Sequence, residues 1–364
     1  MNRLQALHDA GVSIWLDTLS RELLDSGEFE RLIADCAVTG ATSNPTIFAA
    51  AITGSDRYDD QLRAGVALGV RVPRDLFFAL ALDDVGRAAD LLLGVYEASE
   101  GRDGFVSFEC TPDLAGDPQG TIAQALDLWS RLARPNVMIK VPATPAGVPA
   151  IEELTARGVN VNVTLLFSVA RYEQVIDAYL RGLERRVAAG EPVDAIASVA
   201  SFFVSRVDAK ADALLPAASE LRGRVAIANA QRAYGRYQAR FADERWHALR
   251  TVGARPQRPL WASTGTKDPT YSDVLYVEQL IAPGVINTMP AATLRAFADH
   301  GRATRSLGES TDASDETLRA AQDAGLDLAA IADQLEREGV TSFCSSYRDL
   351  LACIEGKLAE VVAA

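Results

Sequence analysis

The sequence has few of the residue types from which proteins most often build metal sites and histidine-assisted nucleophiles. Its 364 residues include three histidines, His8, His247 and His300, which lie far apart in the chain. Four cysteines are scattered and form no CxxC pair. The chain therefore offers little material for a histidine-based metal site or a Ser-His relay. Unpaired, scattered cysteines fit a reducing cytoplasm.

Long apolar runs and a positive charge balance are also missing. The uncharged stretch AIASVASFFVS (195–205) has about half of the residues that a membrane-spanning helix needs. The N-terminal MNRLQALHDAGVSIW lacks the apolar core of a signal peptide. The formal net charge of −13 disfavours a general binder of nucleic acid or of anionic membranes. We expect a cytoplasmic protein with no nucleic-acid or membrane partner, and the sequence leaves a monomer and a homodimer open.

Lysine is scarce as well: of the 36 Lys+Arg residues, only four are lysine. One of them, Lys140, lies among apolar residues in NVMIKVPAT (136–144). A strand this apolar is normally buried on both faces. A lysine amine can lose its proton in such surroundings, whereas an arginine stays protonated. A lone strand lysine is often a snorkelling residue, but its scarcity and its apolar flanks make Lys140 a candidate catalyst.

Eight short apolar runs alternate with helical patterns along the chain. The predicted strands are 12–18, 37–43, 104–110, 136–142, 159–167, 195–204, 259–264 and 284–289. Helical segments lie between them, such as 21–36, 121–133 and 171–190. This alternation fits a (β/α)8 TIM barrel or a doubly wound open sheet.

The chain is longer than the roughly 250 residues of a typical barrel, and the surplus can be assigned. We predict an added helical stretch around 56–99, a long helical run from about 206 to 250 and a helical C-terminal tail from about 310. No repeat, low-complexity tract or Gly/Ser linker divides the sequence. We therefore predict a single domain over residues 1–364.

Alternation within the strands separates an apolar face from a polar one, because successive side chains point to opposite sides. In 136–142 the aliphatic side chains share one face, and Asn136 and Lys140 lie on the other. The same rule in three other strands adds four polar residues to that face: Asp17, Glu109, Asn162 and Thr164. Each alone fits a cap, an ion pair or a buried hydrogen bond. Together they form a candidate site at the C-terminal ends of the strands, where barrel active sites lie.

A lysine with two carboxylates nearby favours imine chemistry. A neutral amine attacks a carbonyl carbon to form a Schiff base. The protonated imine then accepts the electrons of the adjacent carbon–carbon bond as it breaks. Dehydration and cleavage both need proton transfer, for which Asp17 and Glu109 supply carboxylates. We expect no metal and no organic cofactor, because the imine takes the place of a metal-polarised carbonyl.

Five ordered segments resemble the transaldolase family. They are GATSNPTIF (40–48), FEC (108–110), MIKVPAT (138–144), VNVTLLFS (161–168) and ASFFVSR (200–206). The resemblance runs from residue 12 to about 300 and implies a (β/α)8 barrel; the tail resembles that of the longer bacterial members. It also implies a sugar-phosphate transferase of the non-oxidative pentose phosphate pathway. Such an enzyme moves a dihydroxyacetone unit from sedoheptulose 7-phosphate to glyceraldehyde 3-phosphate, giving erythrose 4-phosphate and fructose 6-phosphate.

The resemblance implies a role for each catalytic residue. Lys140 would form the imine. Glu109 would shuttle protons through an ordered water, together with Thr164. Asp17 would take the proton from the C4 hydroxyl as the C3–C4 bond breaks.

Substrate binding would fall to a second group of residues. Five would hold hydroxyls or line the pocket: Thr42, Asn44, Asn162, Ser201 and Phe203. Arg206 would grip the phosphate. After the seventh strand, WASTGTKDP (261–269) lacks the second phosphate arginine of many relatives, and Ser263 and Lys267 are assigned in its place.

Two other functions stay open at this stage. A fructose 6-phosphate aldolase uses the same imine but releases free dihydroxyacetone, so its turnover needs no acceptor aldehyde. A catalytically silent barrel would bind sugar phosphates as a regulator, but it has no need of an amine between two acids. A nucleotide-binding function is disfavoured because the chain has neither GxGxxG nor GxxxxGK[ST].

Overall fold

A computed structural model of the chain describes residues 2–308 and 311–363. Within them, eight parallel strands form a closed barrel in chain order, and the eighth pairs with the first. The strands are β1 (Ser13–Leu16), β2 (Val38–Thr42), β3 (Phe105–Glu109), β4 (Val137–Pro142), β5 (Val161–Leu166), β6 (Ser198–Phe203), β7 (Arg258–Ala262) and β8 (Ile286–Met289). The predicted (β/α)8 TIM barrel is confirmed, and each predicted strand is present.

Helices surround the barrel and extend beyond it. Up to β3 they are α1 (Arg3–Asp9), α2 (Arg21–Asp25), α3 (Glu28–Cys36), α4 (Pro45–Thr53), α5 (Asp59–Ala67) and α6 (Pro73–Ala98). From β3 to β7, after a 3₁₀ turn at Pro112–Leu114, they are α7 (Pro118–Leu132), α8 (Gly147–Ala156), α9 (Val169–Ala188), α10 (Ser205–Leu214), α11 (Val225–Arg240) and α12 (Glu244–Thr251). The last are α13 (Leu275–Glu278), α14 (Ala291–His300), α15 (Asp312–Asp323) and α16 (Leu328–Ala363).

The apolar face of the strands packs against these helices. Phe108 of β3 illustrates the contact, because its ring lies 5.9 Å from that of Phe48 on α4 and 6.3 Å from that of Phe77 on α6, between centroids. Such tilted and edge-on ring pairs add to the hydrophobic gain of burial. Packing the aliphatic face outwards leaves the polar face for the barrel interior in the four strands where alternation distinguishes the two.

Strand register brings the predicted polar residues together. Glu109 of β3 pairs with Lys140 of β4, and Lys140 pairs with Asn162 of β5. Thr164 lies two residues further along β5, opposite Pro142. Side chains at paired positions of neighbouring strands point to the same face of a sheet. Three adjacent strands therefore present a carboxylate, an amine and an amide side by side.

Two predicted helical segments are interrupted. The segment 21–36 breaks into α2 and α3 at Gly27, whose φ of +68° is a left-handed conformation that glycine adopts easily. The predicted run from 206 to 250 consists of α10, α11 and α12. Its first break follows Leu215, which is extended and precedes Pro216, because a proline disfavours the helical conformation of the residue before it.

The predicted inward position of Asn136 is wrong. Its amide donates hydrogen bonds to the carbonyl oxygens of Ala89 on α6 (2.7 Å) and Gly104 (2.9 Å). These contacts direct the side chain to the helical layer. Asn136 lies just before β4 begins, where strand alternation does not yet hold.

The helical additions to the barrel are confirmed. α5 and α6 occupy the stretch predicted around 56–99, and α15 and α16 form the predicted tail. α16 has 36 residues, so its axis is roughly 54 Å long at 1.5 Å per residue. That length is enough for the helix to cross the whole barrel.

Two features are absent from residues 2–308 and 311–363. Every helix in this part of the chain is too short or too polar to span a membrane. The same residues contain no group of three or more His, Cys, Asp or Glu side chains placed to hold a metal ion.

Candidate active site

A cavity of about 140 Å³ opens at the C-terminal ends of the strands. Nine of the twelve predicted site residues line it: Asp17, Thr42, Asn44, Lys140, Ser201, Phe203, Arg206, Ser263 and Lys267. The other three, Glu109, Asn162 and Thr164, are buried beside them on β3 and β5. The predicted site residues are spread over more than half of the sequence, and the strand ends bring them together.

Lys140 is almost enclosed, with 5% of its surface exposed. Its ammonium group donates a hydrogen bond to the carbonyl oxygen of Ser43 (3.3 Å), and its Nζ lies 3.9 Å from Oε2 of Glu109. Inside a protein, a charge at this depth is stable only beside a partner. The amine is therefore held at the cavity wall with a carboxylate close enough to exchange a proton through a small movement or a water.

Glu109 is buried, and one of its carboxylate oxygens lacks a hydrogen-bond donor among the described residues. This atom, Oε2, accepts no hydrogen bond from any residue that the structure describes, which is unusual for a buried carboxylate. Burial raises the pKa of Glu109 to about 7; the charge of Lys140 opposes this rise, and that of Asp17 adds to it. A carboxyl group with this pKa gains and loses a proton near neutral pH, as a proton shuttle must.

Thr164 is the second buried group with an unused hydrogen-bonding atom. Its side chain is fully buried, and its Oγ1 has no partner among the described residues. A buried hydroxyl of this kind costs free energy unless water or a ligand bonds to it. Thr164 and Glu109 are therefore both free to bind a water or substrate atom.

Asn162 is fixed by a hydrogen-bond chain across the barrel interior. Its Nδ2 donates to Oγ of Ser107 (2.8 Å), and its Oδ1 accepts from Oγ of Ser201 (2.7 Å). These two hydrogen bonds fix which end of the Asn162 amide faces each neighbouring strand. Ser107 was not nominated as a site residue, although alternation in β3 already placed it on the same face as Glu109.

Asp17 is held at the other side of the cavity. Oγ1 of Thr42 donates to Oδ1 of Asp17 (2.8 Å) and lies 2.8 Å from Oγ1 of Thr288. Thr288 also lines the cavity and was missed, although its strand was predicted, because strand alternation was not applied to β8. The two threonines orient a partly exposed carboxylate towards the space beside Lys140.

The mouth of the cavity carries two cations in an otherwise acidic chain. Arg206, in the first turn of α10, is half-buried, and its guanidinium lies 5.4 Å from the ring centroid of Phe203. Burial lowers the pKa of Arg206, against the opposing charges of Asp17 and Glu338. Lys267 is exposed at the rim. Neither side chain forms an ion pair within 2–308 and 311–363, so both are available to an anionic ligand.

Ser263 and Asn44 shape the loops around the mouth. Ser263 has a φ of +56°, a conformation that residues other than glycine rarely adopt and that is concentrated at functional sites. Its Oγ shares a hydrogen bond with Oγ of Ser205 (2.9 Å). Asn44 caps α4, because its Oδ1 accepts from the backbone N–H of Ile47 (3.0 Å). This cap leaves the amide nitrogen of Asn44 free to face the cavity.

A larger cavity of about 830 Å³ lies at the opposite end of the barrel. It is lined by the first residues of several strands, such as Ser13, Arg258 and Ile286, and by none of the predicted site residues. Barrel enzymes place their chemistry at the C-terminal face. We therefore assign the candidate active site to the smaller cavity, which contains the lysine.

Comparison with known proteins gives one consistent result. The family model described as "Transaldolase/Fructose-6-phosphate aldolase" matches residues 14–354. A curated "Transaldolase" of Saccharopolyspora erythraea is 51% identical over 362 residues, covering 98% of both chains. "Transaldolase" proteins of Frankia alni and Thermobifida fusca are 48% and 49% identical, again with 98% of both chains covered. The chain therefore belongs to the transaldolase/fructose-6-phosphate aldolase family.

Proposed function

We propose that the chain is a transaldolase that transfers a dihydroxyacetone unit between sugar phosphates through an imine on Lys140. The observation that carries the proposal is the buried pair of Lys140 and Glu109, 3.9 Å apart at the wall of the cavity. Relatives named transaldolase, about half identical over nearly the whole chain, support the same reaction. The proposed donor is sedoheptulose 7-phosphate and the proposed acceptor is glyceraldehyde 3-phosphate.

Imine formation begins with a proton transfer within the pair. The Glu109 carboxylate takes a proton from the Lys140 ammonium, and the neutral amine adds to the ketose carbonyl carbon. The resulting carbinolamine loses its hydroxyl as water after the Glu109 carboxyl returns the proton. The free hydroxyl of Thr164 holds the water through which this proton passes. The product is a protonated imine, and Glu109 is again a carboxylate.

Cleavage of the carbon–carbon bond uses the second carboxylate. Asp17 removes the proton of the C4 hydroxyl, the C3–C4 bond breaks, and its electron pair moves into the imine to give an enamine. The aldose phosphate leaves. In the transfer half-reaction the enamine carbon attacks the acceptor aldehyde, and Asp17 returns the proton to the new hydroxyl. Imine hydrolysis then releases the new ketose phosphate.

The remaining residues hold the substrate. Arg206 binds the phosphate, with Lys267 as a second cation at the rim, because a guanidinium presents two parallel donors to phosphate oxygens. A polar set then orients the sugar hydroxyls: Thr42, Asn44, Asn162, Ser201 and Ser263. Phe203 lines the pocket beneath Arg206. No metal or organic cofactor is part of the proposal, since the protonated imine already accepts the electron pair.

The tail is proposed to belong to the same domain as the barrel. Phe343 of α16 lines the cavity that contains Lys140. α16 also packs on α4, α5 and α6. These contacts support a single domain over residues 1–364 rather than a barrel with a separate appendage.

Acceptor dependence tests the function directly. The protein is given fructose 6-phosphate with and without erythrose 4-phosphate, and both sedoheptulose 7-phosphate and free dihydroxyacetone are measured. A transaldolase forms the seven-carbon product and little dihydroxyacetone. Rapid release of dihydroxyacetone without acceptor would instead make the chain a fructose 6-phosphate aldolase. Binding with no conversion would make it a silent sugar-phosphate-binding barrel.

A further inference from the structure

The tail helix α16 presents one continuous buried stripe to the barrel. The buried residues recur every three or four positions: Ile331, Leu335, Gly339, Phe343, Tyr347, Leu350 and Ile354. This spacing keeps them on a single face of a helix. α16 therefore lies flat on the rest of the protein along most of its length.

Polar contacts tie α16 to opposite sides of the barrel mouth. On the side of β5 and β6 they are Arg171–Glu336 (3.6 Å) and Lys210–Glu338 (2.7 Å). On the side of β2 and β3 they are Thr46–Ser346 (2.7 Å) and Lys357–Asp59 (2.6 Å). The helix thus spans the C-terminal face of the barrel and is fixed at both sides.

Phe343 is the part of this stripe that reaches the active site. It is 5% exposed and lines the same cavity as Lys140, Asp17 and Arg206. One turn earlier, α16 approaches β5 so closely that a Cβ on Gly339 would come within 2.8 Å of the Leu165 side chain. This close packing holds the backbone of α16 against β5 one turn away from Phe343.

We infer that Phe343 is a specificity-determining residue that shields the enamine on Lys140 from water, so that the enamine is transferred to an aldehyde rather than released. This inference rests on the proposed function. Release requires a proton on the enamine carbon, followed by addition of water to the imine carbon and departure of the Lys140 amine, which yields dihydroxyacetone. The carbon–carbon bond-forming step of transfer requires only the acceptor aldehyde and the proton held by Asp17. Hydrolysis of the imine ends both routes, so protonation of the enamine carbon is the step that separates them. An apolar ring at the cavity wall slows that protonation by water and leaves the attack on the aldehyde open.

The test measures the ratio of dihydroxyacetone released to sedoheptulose 7-phosphate formed, from fructose 6-phosphate and erythrose 4-phosphate. We expect Phe343→Ala to raise this ratio about tenfold, which corresponds to about 1.4 kcal/mol between the two competing barriers. Phe343→Leu, which keeps an apolar side chain, should give an intermediate ratio and covers the case in which the alanine variant does not fold. The matched control is Leu350→Ala, which truncates another buried residue of the stripe that does not line the cavity.

Loss of folded protein or looser tail packing would lower both products together and leave their ratio unchanged. An unchanged ratio in both Phe343 variants, or an equal rise in Leu350→Ala, overturns the inference. Borohydride treatment of the wild-type protein with fructose 6-phosphate separates this outcome from a failure of the proposed function. If the wild-type protein forms the adduct and the ratio is unchanged, only the role of Phe343 is refuted. If no adduct forms, the imine reaction is refuted together with this role.

Discussion

The raised pKa of Glu109 predicts how the rate of imine formation depends on pH. The reactive state of the Lys140–Glu109 pair holds one proton, because a second proton leaves no neutral amine. With the pKa of Glu109 at about 7, about nine-tenths of the sites hold both protons at pH 6 and about one-tenth at pH 8. The rate of imine formation in the wild-type protein should therefore rise about tenfold from pH 6 to pH 8.

Glu109→Gln keeps the shape of the side chain but cannot carry the proton. Imine formation should slow by about 10²–10⁴-fold, the usual contribution of general acid–base catalysis. The wild-type pH profile, half-maximal near pH 7, should be lost at the same time, because the amine can then become neutral only by giving its proton to the solvent. The assay is rapid mixing with fructose 6-phosphate, quenching with borohydride at set times, and mass measurement of the adduct.

Asp208 provides a matched control for this pH dependence. Burial also raises the pKa of its carboxyl to about 7, but it lies on α10, bonded by the N–H of Ala226 and the hydroxyl of Tyr276, and does not line the cavity. Asp208→Asn should keep the tenfold rise. If Glu109→Gln keeps the wild-type profile with its half-maximum near pH 7, or Asp208→Asn loses it, the assignment of the proton shuttle to Glu109 is refuted.

Three further predictions follow from the same geometry. Asp17→Asn should allow the imine to form but stall carbon–carbon cleavage, so that borohydride traps more adduct than in the wild type; an adduct that forms as slowly as in Glu109→Gln contradicts the separate roles. Arg206→Ala should raise KM for phosphorylated sugars far more than it affects unphosphorylated dihydroxyacetone, and Lys267→Ala should do the same more weakly because Lys267 is exposed; equal losses on both kinds of substrate point to misfolding or to a misplaced site. Chelation with EDTA followed by dialysis should leave the rate unchanged, and a rate that returns only with a divalent ion contradicts imine catalysis.

Local sequence patterns were sufficient to predict the eight strands, whereas the choice of a barrel over an open sheet rested on the family resemblance. Each strand is a short apolar run, four of them with a clear two-residue alternation, and these properties do not depend on distant contacts. Alternation also gave the inward positions of Glu109, Lys140 and Asn162, which strand register then brings side by side. It failed at Asn136 because that residue precedes its strand, where alternation does not govern the side chain.

Contacts between distant parts of the chain were not predictable in the same way. The hydrogen bond between Thr42 and Thr288 exists because β8 closes on β1, and no local pattern specifies that closure. Phe343 is one of several apolar residues on a helical stripe, and the stripe does not show which of them meets the cavity. That position follows only from where α16 crosses the barrel, where Gly339 packs on Leu165 and ion pairs form at the mouth.

The measurement that tests the central claim most directly is the location of the trapped substrate. The protein is incubated with fructose 6-phosphate, reduced with borohydride, digested and mapped by mass spectrometry. The imine mechanism predicts one adduct, on Lys140, and none in Lys140→Met, which should still fold because it replaces a buried amine with an apolar side chain of similar length. An adduct on Lys210, Lys267 or Lys357, or full turnover by Lys140→Met, would contradict the mechanism.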